Sequence, residues 1–271
     1  MMTIEEMKKI IQKDPETRNL SVPDVDVNKV YLYLLARDEH EEKDGYQPVL
    51  RTDPYIEIVY RPTPEKAQEI RKQKIREHLK FYDSEVYIQD ASLGRFEVMN
   101  EERQKAYELS KQFLDTYRKD RYAKGLFIYG KNSTGKSYLL SAIAHALAER
   151  NITVLFVYMP DLARSIRQGM NEGNLEQRIN SLKQADVLMM DDLGGENMST
   201  WFRDEILVPI LQYRLSAKLP VLMSSNYDFV QLIEFLAVTK DDTNRMKAAR
   251  LIQRIKDLTT PVKLVQDQYK E

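Results

Sequence analysis

Cysteine is absent from the 271 residues, which excludes disulfides, thiolate catalysis and zinc sites built on cysteine together. Long apolar runs are missing as well, since none approaches the roughly 20 residues that span a bilayer. The first residues, "MMTIEEMKKIIQKD", are amphipathic and charged and lack the apolar core of a signal peptide. The chain therefore reads as cytoplasmic, with no membrane contact. Neither sign of charge dominates: 41 Lys and Arg face 42 Asp and Glu, so any nucleic-acid surface must be a local patch and not a global field. Internal repeats and low-complexity segments are also lacking. What remains is a chain with 42% hydrophobic residues, enough to bury a real core, and a length that suits a core domain plus a smaller one.

Residues 1–60 alternate helical and extended patterns. "IEEMKKIIQ" sets Ile4, Met7, Ile10 and Ile11 on one helical face. "VNKVYLYLLARDEHEE" predicts a second helix that ends before Gly45, and "YQPVLRTDPYIEIVYRP" offers two short strands interrupted by Pro48 and Pro54. Residues 61–80 carry seven basic residues against three acidic ones and read as a basic linker or exposed helix. A long amphipathic helix, "NEERQKAYELSKQFLDTYRKD", then leads into the main domain.

From residue 125 onward five apolar runs appear: "GLFIY", "TVLFVYM", "DVLMMD", "PVLMSS" and "PVKLV". Runs without alternation suit strands buried on both faces of a parallel sheet. Helical segments separate them, so the expected fold class is α/β, a doubly wound five-stranded parallel sheet. The sequence predicts three regions: 1–60 as a small α+β amino-terminal domain, 61–82 as the basic linker, and 83–271 as the α/β domain.

The first run leads into "GKNSTGKS", Gly130 to Ser137, which fits G-x-x-x-x-G-K-[ST]. A strand before this motif and a helix after it are the context in which backbone N–H groups and a helix amino terminus cradle nucleotide phosphates. Lys136 would pair with the β- and γ-phosphates and Ser137 would coordinate Mg²⁺. The candidate nucleotide contacts are Gly130, Lys131, Asn132, Ser133, Thr134, Gly135, Lys136, Ser137 and Tyr138.

"VLMMDDLGG" places Asp191 and Asp192 at the carboxyl end of a strand, where open α/β sheets bind ligands. The first carboxylate suits Mg²⁺ and the second, pointing elsewhere, suits orienting an attacking water. "PVLMSSN" ends another strand at Asn226, a candidate hydrogen-bond partner of the γ-phosphate or the water; alone, it is also an ordinary strand-ending turn residue. In "NRMKAARLIQRIKDL", Leu251, Ile252, Ile255 and Leu258 share one helical face, with Arg250 and Arg254 on a ridge beside it. An arginine lent by a neighbouring subunit neutralises transition-state charge, although two solvated helix arginines are equally compatible with the pattern.

In this order the elements resemble the AAA+ ATPases. More narrowly, "VLMMDDLGGE", "FRDEILVPILQYRLSAKLPVLMSSN" and "KAARLIQRIKDLTTPVKL" look like the replicative-helicase loaders of the DnaI/DnaC type. The likeness covers about residues 83–271 and is fainter before that. It implies ATP and Mg²⁺ as cofactors and slow, partner-stimulated ATP hydrolysis. It implies three partners: a hexameric replicative DNA helicase, held by the amino-terminal domain, single-stranded DNA, and further copies through an AAA+ interface. By position Lys136 and Ser137 take the Walker A roles, Asp191 and Asp192 the Walker B roles, and Asn226 that of sensor 1. Arg254 is the first choice for the arginine finger and Arg250 the second. Two features depart from the pattern. Loaders of this type usually carry a cysteine-built zinc site, which cannot exist here, and His40 is the only histidine before residue 78, so zinc is not expected. The last strand is followed only by "VQDQYKE", so no carboxyl-terminal lid is expected; Lys270 is a weak candidate for the missing sensor arginine.

For DNA, Tyr158, Arg164 and Arg167 in "YMPDLARSIRQGM" and the basic segment 61–80 are candidates, each also readable as a solvated helix face. Residues 1–60, with eight basic and thirteen acidic residues, suit a protein partner better. Three other readings stay open: a transposition helper ATPase with a similar core, a P-loop small-molecule kinase, and a nucleotide-gated adaptor that scarcely hydrolyses ATP.

Overall fold

A computed structural model describes residues 2–39, 43–81, 87–172, 174–196, 198–238 and 243–265. The chain divides into two compact units, Met1–Gln73 and Lys74–Glu271. His40 and Lys270 lie outside the described residues.

In the first unit, α1 (Ile4–Lys13) and α2 (Val27–Asp38) precede an antiparallel ribbon of β1 (Tyr46–Arg51) and β2 (Glu57–Pro62). Pro48 sits within β1, tolerated because a two-stranded ribbon leaves an open edge on each strand. A small core gathers Ile11, Val27, Val30, Tyr33, Leu34 and Ile56. The expected stripe on α1 divides: Ile11 is buried, whereas Ile4 and Ile10 are exposed. The second helix ends at Asp38, short of the acidic run that the pattern included. Arg37 closes this unit by bonding Asp14 at 2.6 Å and Glu16 at 3.0 Å, and its guanidinium holds the Asp14 carboxyl down at about 2. The next helix, α3 (Pro64–His78), has no buried residue and contains the boundary between the units.

The second unit opens with β3 (Leu79–Phe81), then α4 (Glu101–Thr116), β4 (Gly125–Tyr129) and α5 (Lys136–Ala148). Next come β5 (Val154–Tyr158), α6 (Met159–Glu172), α7 (Leu175–Gln184) and β6 (Val187–Asp191). A π-helical segment, Phe202–Leu207, runs into α8 (Val208–Ser216), followed by β7 (Val221–Ser225), α9 (Phe229–Ala237), α10 (Arg245–Leu258) and β8 (Thr259–Lys263). The sheet order is β3-β5-β6-β7-β4-β8, and every pairing in it is parallel. The five-stranded expectation is thus corrected to six. The added strand, "LKF", lies in what read as basic linker and pairs along the edge of β5; three residues are too few to show a period.

Alternation along the strands explains why the central runs are apolar throughout. Phe127, Leu188, Met190 and Met223 face one core, while Leu126, Ile128, Met189 and Leu222 face the other. The first face is covered by α6 to α10, including Leu211, Leu251 and Ile255, and the second by α4 and α5, including Phe113 and Ile143. Each such side chain, once buried, contributes about 1.5–3 kcal/mol. The π-helical turn has a local cause. Pro209 has no N–H to donate and its ring crowds the preceding turn, and the widened segment, closed by Val208 N–H to Arg203 O, accommodates it.

Candidate nucleotide site

The strand order decides where the chemistry gathers. β7 lies between β6 and β4, so the polar end of β7 stands between the phosphate loop, which leaves β4, and the two aspartates, which end β6. All three ends point the same way because the strands are parallel.

Loop geometry begins with Gly130. Its φ is +157°, and a Cβ there would fall 2.1 Å from the Leu264 carbonyl oxygen, so only glycine fits. Gly135, at φ +94°, caps α5 from the left-handed region. Lys131, Asn132 and Ser133 are exposed and Thr134 is buried. Lys136 is 7% exposed; its ammonium donates to the Gly130 carbonyl (3.0 Å), the Lys131 carbonyl (2.8 Å) and Asn226 Oδ1 (2.8 Å). Burial draws its pKa below the ordinary lysine value, and the charges of Asp192 and Asp191 oppose that shift. Asn226 donates through Nδ2 to Asp192 Oδ1 at 2.9 Å. A single amide thereby joins the lysine of one strand end to the aspartate of another.

Asp191 is 2% exposed. Burial raises its pKa, while hydrogen bonds from Ser224 and Ser137 hold the carboxylate form. A buried carboxylate touching the first-turn hydroxyl of α5 is a hard-oxygen pair that fits Mg²⁺, which keeps waters and nucleotide phosphates as its other ligands. Asp192 sits at φ +60°, a left-handed turn that Asp tolerates better than most residues, and this diverts its carboxylate away from that of Asp191. Its N–H donates to Ser224 Oγ at 2.9 Å. Ser225 Oγ donates to the Leu193 carbonyl at 2.6 Å, and its own carbonyl accepts the Gly130 N–H at 3.2 Å. These two serines bolt the carboxylate turn to the phosphate loop.

Four residues at the site were not read for these roles from the sequence. Tyr158, considered for DNA, directs its hydroxyl to Asp192 Oδ2 at 3.4 Å. Ser224 passed as a strand end, yet it touches both aspartates. Glu196 is 4% exposed, accepts the Gly194 N–H at 2.8 Å, and is pushed up to about 7 by burial; the "GGE" that follows the aspartates was its only signal. Arg103 lay in an amphipathic helix with nothing to mark it, and its Nη1 donates to the Thr134 carbonyl at 2.7 Å. Among the expected contacts, Tyr138 turns to the segment before α4: its hydroxyl donates to the Ser92 carbonyl at 3.2 Å.

The arginines of α10 are placed differently. Arg254 Nε donates to Gln212 Oε1 at 2.8 Å, and its Nη1 donates to the Arg250 carbonyl at 3.2 Å. Arg250 is exposed, and its Nη2 lies 3.8 Å from Met246 Sδ. Both line an open recess of about 200 Å³ with Asp204, Val208 and Lys247. Arg164 and Arg167 are exposed; Arg164 pairs with Asp161, and Arg167 bonds the Ala163 carbonyl at 2.9 Å. No helix among the described residues is long and apolar enough to cross a membrane.

A parallel sheet with its phosphate loop on β4, its acid on β6 and its amide on the intervening β7 defines a P-loop protein of the AAA+ class. The IstB-like ATP binding protein family matches residues 100–269, more than half of the chain. The replicative helicase loader DnaI of Bacillus subtilis (strain 168) is 30% identical over 97% of this chain and 89% of its own length. The replicative helicase loader DnaC of Escherichia coli (strain K12) is 26% identical over 58% of this chain and 64% of its own. A crystal structure of DnaI superimposes with a TM-score of 0.64 and 35% identity, covering 70% of this chain and 98% of that one. The chain belongs to the family of IstB-like ATP-binding proteins and DnaI/DnaC replicative helicase loaders. The likeness reaches the amino-terminal unit too, further than the motifs alone carried it.

Proposed function

We propose that this chain is an ATP-hydrolysing loader that places a hexameric replicative helicase on single-stranded DNA during replication initiation or restart. The observation that carries this reading is the similarity to DnaI over nearly the whole chain, amino-terminal unit included. A transposition helper would share the core but has no call for that unit. The joined Lys136, Asn226 and Asp192 support hydrolysis over simple nucleotide gating.

In this reading the loop amides and Lys136 hold the β- and γ-phosphates, releasing Lys136 from the carbonyls that now occupy it. Asp191 and Ser137 hold Mg²⁺, which when bound offsets the charge gathering on the phosphate oxygens. Asp192 accepts a hydrogen bond from the attacking water and Asn226 fixes the direction of approach. Arg254 of one copy neutralises charge at the nucleotide of the next. The amino-terminal unit holds the helicase: its acidic balance and exposed Ile4, Val25 and Leu32 suit a protein surface. Residues 1–73 serve there as the helicase-binding domain and 74–271 as the ATPase. Arg164, Arg167 and the α3 basics are the candidates to meet DNA phosphates.

The test is reconstitution with the cognate replicative helicase on circular single-stranded DNA. ATP-dependent helicase loading by the full chain, abolished in Lys136→Ala, is the expected result. No complex between chain and helicase on gel filtration, with or without ATP, would defeat the loader reading.

A further inference from the structure

Arg103 is 9% exposed, and among the described residues no carboxylate pairs with it. It belongs to the first turn of α4, where Asn100 caps the helix by accepting the Arg103 N–H at 2.9 Å. From there the side chain turns back on the chain. Nε donates to the Glu97 carbonyl at 2.6 Å, Nη1 donates to the Thr134 carbonyl at 2.7 Å, and the guanidinium lies 4.4 Å from the centre of the Phe96 ring. A Cβ added to Gly135 would meet Nη2 at 3.7 Å and Nη1 at 3.8 Å. The cation therefore lies directly against the turn that opens α5.

Two consequences follow from elementary geometry. The peptide joining Thr134 to Gly135 is planar and trans, so its N–H points opposite to its C=O. Holding the Thr134 carbonyl outward on Arg103 fixes the Gly135 N–H in the opposite sense, along with the turn that leads into Lys136. A buried guanidinium without a carboxylate also carries an uncompensated charge, which is costly in a protein interior. It lies at the same end of α5 as the positive pole of the helix dipole, where an anion is stabilised. Phe96 reinforces the contact by stacking on Tyr138, with ring centres 6.4 Å apart, and Ser92 bonds the Tyr138 hydroxyl.

We propose that Arg103 is a positioning residue for the triphosphate. It locks the Thr134–Gly135 peptide and brings to the phosphate loop a positive charge that phosphate balances. The segment Ser92–Arg103 then belongs to the nucleotide site, and ATP binding and the fixing of that segment support each other. This rests on the ATP-binding reading above.

Titration of the full chain with fluorescent ATP, beside steady-state kinetics, tests it. Arg103→Gln is expected to weaken ATP binding about tenfold, the scale of one charge-assisted hydrogen bond. Arg103→Lys keeps the charge but not the fork and is expected to weaken it only about threefold. In both variants KM should rise with Kd while kcat changes less than KM. Wild-type affinity in both variants overturns the proposal, as does a fall in kcat at unchanged KM. If Arg103→Gln does not fold, Arg103→Lys decides: weaker binding with wild-type melting of the nucleotide-free protein supports positioning. Lower melting with unchanged affinity makes Arg103 a scaffold residue and overturns it. A wild-type chain that binds no ATP defeats the parent reading, and this shows before any variant is made.

Discussion

The pocket at the tips of β4, β6 and β7 and the ridge of arginines on α10 are parts of one compact unit, yet they are built in opposite ways. In the pocket, Lys136 and Asp191 are buried, and side chains or carbonyls from at least two other segments hold them. On the ridge, Arg254 meets Gln212 and a carbonyl of its own helix, and Arg250 meets a thioether sulfur. Buried polar groups must be satisfied within the chain, so the pocket is completed by its own fold. Arginines that reach the surface carry no such obligation. In the proposed reading, this difference separates what one copy does alone from what it offers to another.

The largest effect that would sharpen this contrast is in Arg254→Ala. Turnover of the assembled protein is expected to fall about a thousandfold, the scale of an arginine supplied in trans, with ATP affinity of the dilute chain preserved. Steady-state hydrolysis at low and high protein concentration checks it, and an equal loss at both would place Arg254 in its own subunit's chemistry. Asp192→Asn tests the pocket half. Turnover should fall about a hundredfold or more, the range for a general base, with ATP retained, as read by nucleotide co-elution on gel filtration.

Glu196→Gln probes how tightly the pocket is sealed. The folded chain keeps the Glu196 proton up to about 7, against 4.5 for an ordinary glutamate. The unfolded chain releases it earlier, so wild-type stability declines as pH rises from 4.5 to 7 and is level above that. Glutamine cannot ionise, so the variant should gain on wild type across that window. The change in their difference between pH 5 and pH 8 is roughly 2–3 kcal/mol by proton linkage, measurable by urea unfolding. Smallest is Arg250→Ala, expected to alter assembled turnover by less than about threefold, as for a solvated charge. A loss as deep as that of Arg254→Ala would mean that the two arginines share the role.

The sequence made the buried parts legible and the marginal ones obscure. All five of its apolar runs fall on strands of the sheet, and in the first four burial on both sides leaves no polar alternation. Asp191, Asp192, Lys136 and Asn226 came together because their spacing follows from strand ends. The edge strand Leu79–Phe81 escaped notice, since its pairing with β5 is a tertiary choice that three residues cannot announce. Tyr158 looked like a base-stacking aromatic; alternation along β5 alone does not tell that the next strand ends in the carboxylate it meets. Arg103 shows the same limit from another side. Its helix face was readable, but the loop it would touch, thirty residues on, was not. On α1, Ile4 and Ile10 continue a stripe whose other half is core, and periodicity does not distinguish a core from a docking surface.

The direct test of the division between pocket and ridge is a mixing experiment. In the proposed reading Lys136→Ala loses productive ATP binding and Arg254→Ala loses its service to the neighbour, so each alone should be nearly inactive in the assembly. In a heterologous interface one copy's ridge meets the next copy's pocket, and an equal mixture should recover about a quarter of wild-type turnover, since one pairing in four joins an intact pocket to an intact ridge. A mixture no more active than its components would contradict the division and return Arg254 to the pocket of its own chain.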